Sequence, residues 1–411
     1  MSNTKISIMS FKKDMYILVE GMRDEKRFFI IREGYVKIMK QVSLVKEDSD
    51  SVIGPGDFIG IVSAMSQRSQ IESAQAITDV VLLAVNYTQF DGLIQNNTPI
   101  AMKIIQQFSR RIRYLNNALT KIASNTLTTE ADTAILFKTG EYYLNSKMKQ
   151  QAYYVFKRYI ECYPDGEFAG QSAAYLKTLE AFNESPFEAG GDDFLRIYNK
   201  NKIIFADGEI GQSLYIIQKG TVKITKILNG NEIILAILKR GDIFGEMALL
   251  ENKPRSAAAI AQEDGTVLME VLKQNFEFMA KTKPAIINRL TQILSERIWF
   301  SYKQLANVLI KDPLGRIYDY MTIILEKNNV PLSTGDFTFD FGPDELMKMA
   351  AIPAEQQRVV ITQLFNDNII ELNKGKFFTK YVDEIYKLGD YYKKMHKRSV
   401  IQGQIKTPLK K

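Results

Sequence analysis

Alternating apolar and polar positions recur in two widely separated stretches of this 411-residue chain, in nearly the same order. "GMRDEKRFFIIREGYVKIMK" (21–40) and "GEIGQSLYIIQKGTVKITK" (208–226) each run from a glycine through a polar loop into a β-rich apolar run. Gly34 or Gly220 follows, then a Val-x-Ile alternation. A period of two predicts strands with one buried face, and the glycines mark turns. Further on, "GPGDFIGIVSAM" (54–65) matches "KRGDIFGEMALL" (239–250). One β-rich module is therefore present twice, over 1–125 and 190–310.

After each β-rich stretch the period becomes helical. Met102, Ile105, Phe108, Ile112, Leu115, Leu119 and Ile122 recur at three- and four-residue steps. Leu290, Leu294, Ile298, Ser301, Leu305 and Val308 do the same, with Ser301 the polar exception. Each stripe predicts a long amphipathic helix that serves as core or as a helix–helix seam. Between the modules, residues 136–180 read as helices with a stop at Pro164-Asp165-Gly166. The spacing of Gly140, Tyr143, Ala152, Phe156, Tyr159, Ala169 and Ala173 resembles a single tetratricopeptide-type unit. One unit cannot form a solenoid, so 126–189 reads as a packed helical spacer. At the junction with the second module, "NESPFEAGGDD" (183–193) reads as a linker. Residues 311–390 give helix, helix–turn–helix and a small hairpin around Lys374-Gly375, the order of a winged helix–turn–helix.

Composition narrows the chemistry. Cys162 is the only cysteine and His396 the only histidine. No intrachain disulfide, His/Cys metal site or histidine-based triad can be built from them, and a reducing cytoplasm fits. No apolar run approaches the ~18 residues of a membrane span, and no signal-peptide pattern opens the chain. Kinase, cyclase and hydrolase motifs are missing, so an enzyme is not expected. The net charge of +7 is uneven: residues 391–411 carry seven basic groups and no acid. Such a tail suits a polyanion partner or a solvated, disordered end.

The candidate chemistry lies in "FGEMALLENKPRSAAAIA" (244–261). Gly245 permits a sharp entry into a short helix whose first amides, with Met247 and Ala248, face an anion. Glu246 can accept a hydroxyl proton in a charge-assisted bond. Arg255 can offer two parallel donors to phosphate oxygens. Ser256 adds a hydroxyl, Ala257 an amide, and the alanine run lets backbone come close. The bland alternative is an ion pair between Glu246 and Arg255 that closes a β-loop.

Residues 190–390 resemble the cAMP-receptor (catabolite activator) family of cyclic-nucleotide-binding transcription regulators, and this stretch is similar to their phosphate-binding cassette. The resemblance implies an α+β multidomain chain: two β-roll (double-stranded β-helix or jelly-roll) cyclic-nucleotide-binding modules, a helical TPR-like spacer and a C-terminal winged helix–turn–helix. It implies cAMP or cGMP as ligand, with no metal, and double-stranded DNA as a partner. It places Ser301 against the adenine amino group, although Ser301 as seam filler stays open. Tyr302 falls where the family has a second hydroxyl residue that reaches the ligand across the dimer.

Two regions depart from the family. In the first module the glutamate position is Ile61 and the arginine position Gln70. An apolar residue and a neutral amide leave ribose and phosphate unpaired, so this copy reads as structural or dimerising. Arg68 lies close enough in sequence to rescue an altered pocket. The two end helices could pair between chains as a homodimer or within one chain as a pseudo-dimer. In the candidate recognition helix, "PAEQQRVVITQLF" (353–365), Gln356, Gln357 and Arg358 are the candidate base readers. Residues 301–390 carry ten basic and thirteen acidic groups, and the 391–411 tail brings that region to +4. The leading expectation is a cytoplasmic, cyclic-nucleotide-responsive transcription regulator. The alternative is a nucleotide-sensing adaptor whose winged helix docks a protein.

Overall fold

Strand alternation in both modules resolves into the same pair of sheets in a computed structural model, which describes residues 6–23, 26–40, 51–95, 98–124, 132–191, 194–228, 230–282 and 284–405. In the first module one sheet has the order Ser7–Phe11, Val80–Asn86, Arg27–Glu33, Phe58–Ile59. In the second, Leu195–Tyr198, Thr266–Leu272, Ser213–Lys219 and Ile243–Phe244 follow the same order. The facing sheets also correspond: Tyr16–Leu18, Ser73–Ala76, Val36–Met39, Ser51–Ile53 in one, and Ile203–Phe205, Ala258–Ala261, Val222–Leu228, Asn231–Leu238 in the other. All the pairings are antiparallel, and each module packs its core between its sheets, around Phe29, Val36 and Leu82 or Ile217, Val222 and Leu268. The register slips at Ile31/Glu33 and again at Ile217/Lys219, just before Gly34 and Gly220. Both glycines have positive φ, +86° and +81°. A Cβ at Gly34 would lie 2.3 Å from the Asp79 carbonyl, so this turn requires glycine.

The chain divides into two units: Met1–Ala118 with Leu127–Trp299, and Leu119–Thr126 with Phe300–Lys411. The end helices are Thr98–Ser124 and Pro284–Val308. Their stripes are buried at Ile105, Phe108, Ile112 and Leu115, and at Leu290, Leu294, Ile298 and Leu305. The spacer is three helices, Asp132–Asn145, Lys149–Cys162 and Ala169–Thr178. Gly140 lets the first two approach, since a Cβ there would meet Phe156 at 2.6 Å. Their aromatic core is continuous with Ile203, Ala206 and Ile260 of the second module. The linker expected over 183–193 is partly a strand: Glu188–Ala189 pairs with Arg196–Ile197, because the chain reverses at Gly190, whose N–H donates to the Leu195 carbonyl.

In the second unit, helices Pro313–Lys327, Pro343–Met349, Ala354–Asn366 and Val382–Ile405 enclose a core of Tyr318, Met321, Leu346, Leu364 and Phe377. A three-stranded sheet runs Phe337–Thr338, Lys376–Thr379, Ile370–Asn373. Its tight hairpin turns at Lys374 and Gly375, both left-handed. The basic segment expected as a tail from 391 is instead the continuation of helix Val382–Ile405, anchored where Lys393 meets Asp319 at 2.7 Å. Lys406, Lys410 and Lys411 lie outside the described residues. Among the described residues no helix is long and apolar enough to cross a membrane, and no group of His, Cys, Asp and Glu is arranged to hold a metal.

Candidate functional site

Strand Ile243–Phe244 ends at Gly245, whose φ of +80° turns the chain into the short helix Glu246–Glu251. The turn buries Glu246 completely. Oε1 of Glu246 accepts a hydrogen bond from Arg297 Nη1 of the end helix at 2.7 Å, while Oε2 is buried with no partner. The cation at this carboxylate is thus Arg297 and not Arg255, which removes the closed Glu246–Arg255 loop as an account of the cassette. Arg297 was missed in the sequence. The available signal was a basic residue one helical turn before Ser301, on the same face.

Arg255 is 4% exposed. Its guanidinium lies 4.2 Å from the Phe205 ring centroid and donates from Nη1 to the Gly245 carbonyl at 2.6 Å. Its Nε is buried without a partner. Gly211 faces the same group, and a Cβ there would fall 2.4 Å from Nη2. The backbone is fixed as well: Arg255 N–H donates to the Glu209 carbonyl at 2.8 Å, and Gly208 N–H to the Arg255 carbonyl at 2.9 Å. Ser256 Oγ lies 3.8 Å from Met247 Sδ, and Met247, Ala248 and Ala257 are buried around it. The cassette therefore holds a buried carboxylate oxygen and a buried guanidinium nitrogen, both without a hydrogen-bond partner. Such a pair suits a ligand that offers a hydroxyl and an anionic oxygen together.

The loop beneath Arg255 is tied to the spacer. Arg158 reaches Glu209 Oε1 at 3.0 Å, Tyr154 O–H donates to Glu209 Oε2 at 3.1 Å, and Tyr163 O–H donates to the Gly208 carbonyl at 2.8 Å. Burial pushes the Glu209 carboxyl above the usual carboxylate range even with Arg158 beside it.

In the first module Gly60 repeats the turn at φ +72° and starts helix Ile61–Ser66. A Cβ on Gly60 would meet the Leu18 side chain at 2.6 Å, so core fills the space beside this turn. Ile61 and Gln70 are buried. The Arg68 guanidinium lies over the Trp299 ring, 5.7 Å from a centroid. Ser301 and Tyr302 are both buried on the end helix. Among the candidate base readers, Gln356 and Arg358 are exposed, whereas Gln357 is half-buried and donates to the Ile352 carbonyl at 3.0 Å. That bond to its own turn takes Gln357 out of the exposed set.

The cyclic nucleotide-binding domain family matches residues 8–97 and 195–283. The cyclic AMP receptor protein of Thermus thermophilus is 29% identical over 181 residues, 44% of this chain and 81% of that protein. The cAMP-activated global transcriptional regulator CRP of Salmonella typhimurium is 23% identical over 185 residues, 45% of this chain and 88% of the relative. A crystal structure of a CRP-family transcriptional regulator from Thermus thermophilus is 20% identical, with a TM-score of 0.38, over 47% of this chain and 96% of the other.

Proposed function

We propose that this chain, which carries two cyclic nucleotide-binding domains and is homologous to the cAMP-receptor family of transcription regulators, binds one cyclic nucleotide in its second domain and transmits its presence to a C-terminal DNA-binding domain. One observation carries the reading: Glu246 Oε2 and Arg255 Nε are both buried and unpartnered, Glu246 next to Gly245 in the chain and Arg255 hydrogen-bonded to the Gly245 carbonyl. Unmatched buried polar atoms of opposite hydrogen-bonding sense are costly unless a ligand completes them. The ribose 2′-hydroxyl would donate to Glu246, and the exocyclic phosphate oxygens would take the Arg255 guanidinium, Ser256 and the amides at 256–257.

The first domain serves as a structural partner, and residues 311–390 act as a winged helix–turn–helix whose exposed Gln356 and Arg358 face DNA. Contacts between the two modules inside one chain support an intrachain pseudo-dimer: Trp299 Nε1 donates to the Ser69 carbonyl at 3.2 Å, and Asn288 Nδ2 to Asp91 Oδ1 at 2.6 Å. The test is calorimetric titration of the whole protein with cAMP and with cGMP, with the single tryptophan, Trp299, as a fluorescence reporter. Saturable cAMP binding is expected. Absence of heat and of a fluorescence change with both nucleotides overturns the reading.

A further inference from the structure

The turn that joins the cassette helix to Arg255 is only three residues long, Asn252-Lys253-Pro254, and both of its ends are held by the first module. Glu251, the last residue of the cassette helix, has a side chain only 4% exposed. Its Oε1 accepts from Ser109 Oγ at 2.7 Å and its Oε2 from Arg113 Nε at 2.8 Å. Nη1 of the same arginine donates to the Pro254 carbonyl at 3.1 Å. Ser109 and Arg113 lie on the first module's end helix.

The Pro254 carbonyl belongs to the peptide plane that enters Arg255. The N–H of that plane is the one given to Glu209. One peptide is thus gripped at its oxygen from the first module and at its nitrogen from the loop of the second. Rotation about the Pro254 Cα–C bond would move that carbonyl and N–H together, swing the Arg255 Cα and carry the guanidinium with it.

A parallel set of contacts runs from the other end helix, and the difference between the two sets points to a role. Arg111 pairs with Glu72 of its own module at 2.8 Å, as Arg297 does with Glu246. Two residues after each of these arginines stands a residue that crosses to a backbone carbonyl of the other module: Arg113 on one helix, Trp299 on the other. Trp299 offers a single neutral N–H to the carbonyl before Gln70, beside the pocket that lacks the charged pair. The bidentate cation faces the cassette that keeps it.

We propose that Arg113 is a positioning residue for ligand binding in the second module: it fixes the Pro254–Arg255 peptide so that Arg255 stands ready for the phosphate. The inference rests on the nucleotide-binding reading of that module. It makes the first module a part of the site by way of its end helix, although its own turn carries Ile61 and Gln70 in place of the charged pair.

The test is cAMP affinity, by calorimetry on the full chain, in a cycle of Arg113→Ala with Arg255→Ala. Arg113→Ala alone should weaken cAMP binding about tenfold. In the Arg255→Ala background the same change should cost less than about twofold, since the group it positions is gone. A merely structural arginine would weaken both backgrounds alike, and that outcome overturns the proposal, as does undiminished affinity in the single variant. Should Arg113→Ala fail to fold, Glu251→Gln runs the same cycle, because it keeps the shape and removes the charge that Arg113 meets. If the unmodified protein binds neither cAMP nor cGMP, the underlying reading falls, and this inference with it.

Discussion

Arg297 donates to Glu246 across 2.7 Å, and the carboxylate that it meets is fully buried. The contact joins the end helix to the first residue of the cassette helix. A ribose hydroxyl taking the free Oε2 would therefore sit on a carboxylate already tethered to the helix. Ligand occupancy and the placing of the helix become parts of one hydrogen-bonded unit.

Removal of Arg297 should leave an uncompensated charge inside the second module. Arg297→Ala is expected to lower stability by about 3 kcal/mol, the range seen when one partner of a buried pair is deleted. Adding Glu246→Gln should return part of that loss, because a neutral amide is less costly to bury than an unpaired carboxylate. Urea unfolding of the two single variants and the double variant measures the coupling. Strict additivity would mean that the pair contributes nothing as a pair.

Arg255 is expected to carry the phosphate. Arg255→Ala should reduce cAMP affinity by about two decades, while Arg255→Lys recovers little, since an ammonium lacks the planar fork. Gly211→Ala should weaken binding too, because its Cβ would fall 2.4 Å from the guanidinium. Calorimetry decides, and wild-type affinity in Arg255→Ala would remove the cassette from the site.

Each chain should bind one nucleotide. The first module's turn is packed by Leu18, and its Ile61 and Gln70 offer neither carboxylate nor guanidinium. A titration should reach equivalence at about one cAMP per chain, and Ile61→Ala should leave that value unchanged. Two equivalents per chain would show that the first pocket is open to ligand after all.

Much of this was legible because strands and helix stripes write their own periods. Gly34 and Gly220, with the Val-x-Ile runs after them, gave both modules and their common order. The cassette was legible because Gly245, Glu246, Arg255 and Ser256 lie within a dozen residues of one another. Arg297, Arg113 and Ser109 were not, since they reach the cassette from helices 51, 138 and 142 residues away in the chain. Nothing local distinguishes an arginine that crosses to another module from one that faces water. The same blindness hid the pairing of Lys393 with Asp319, since composition placed that lysine in a basic tail suited to a polyanion partner or a solvated end.

That lysine separates two roles within the basic C-terminal helix. Lys393 meets Asp319, whose side chain is 1% exposed, and Asn307 Nδ2 donates to the other carboxylate oxygen at 2.8 Å. Lys394 is paired with Asp390 at 2.5 Å, whereas Lys397 and Arg398 are exposed on the same helix. If the C-terminal domain binds DNA, counterion release should come from the exposed cations and not from Lys393. Lys397→Ala with Arg398→Ala should weaken binding to every duplex alike and flatten the slope of log affinity against log salt by about two units, leaving cAMP affinity unchanged. Lys393→Ala should leave the salt slope alone and instead lower stability by about 2 kcal/mol, less than for a fully enclosed pair because the lysine is 31% exposed. Burial works against the Lys393 ammonium, but Asp319 and Glu326 hold its pKa above the ordinary 10.5. Its contribution is thus fully present below pH 10.5 and is lost only as the pH rises through the folded value. An anisotropy salt series with cAMP present, beside unfolding curves at neutral pH, reads both effects. A slope that follows Lys393 and ignores Lys397 and Arg398 would invert the assignment, and no duplex binding by any form would turn the domain from DNA toward a protein partner.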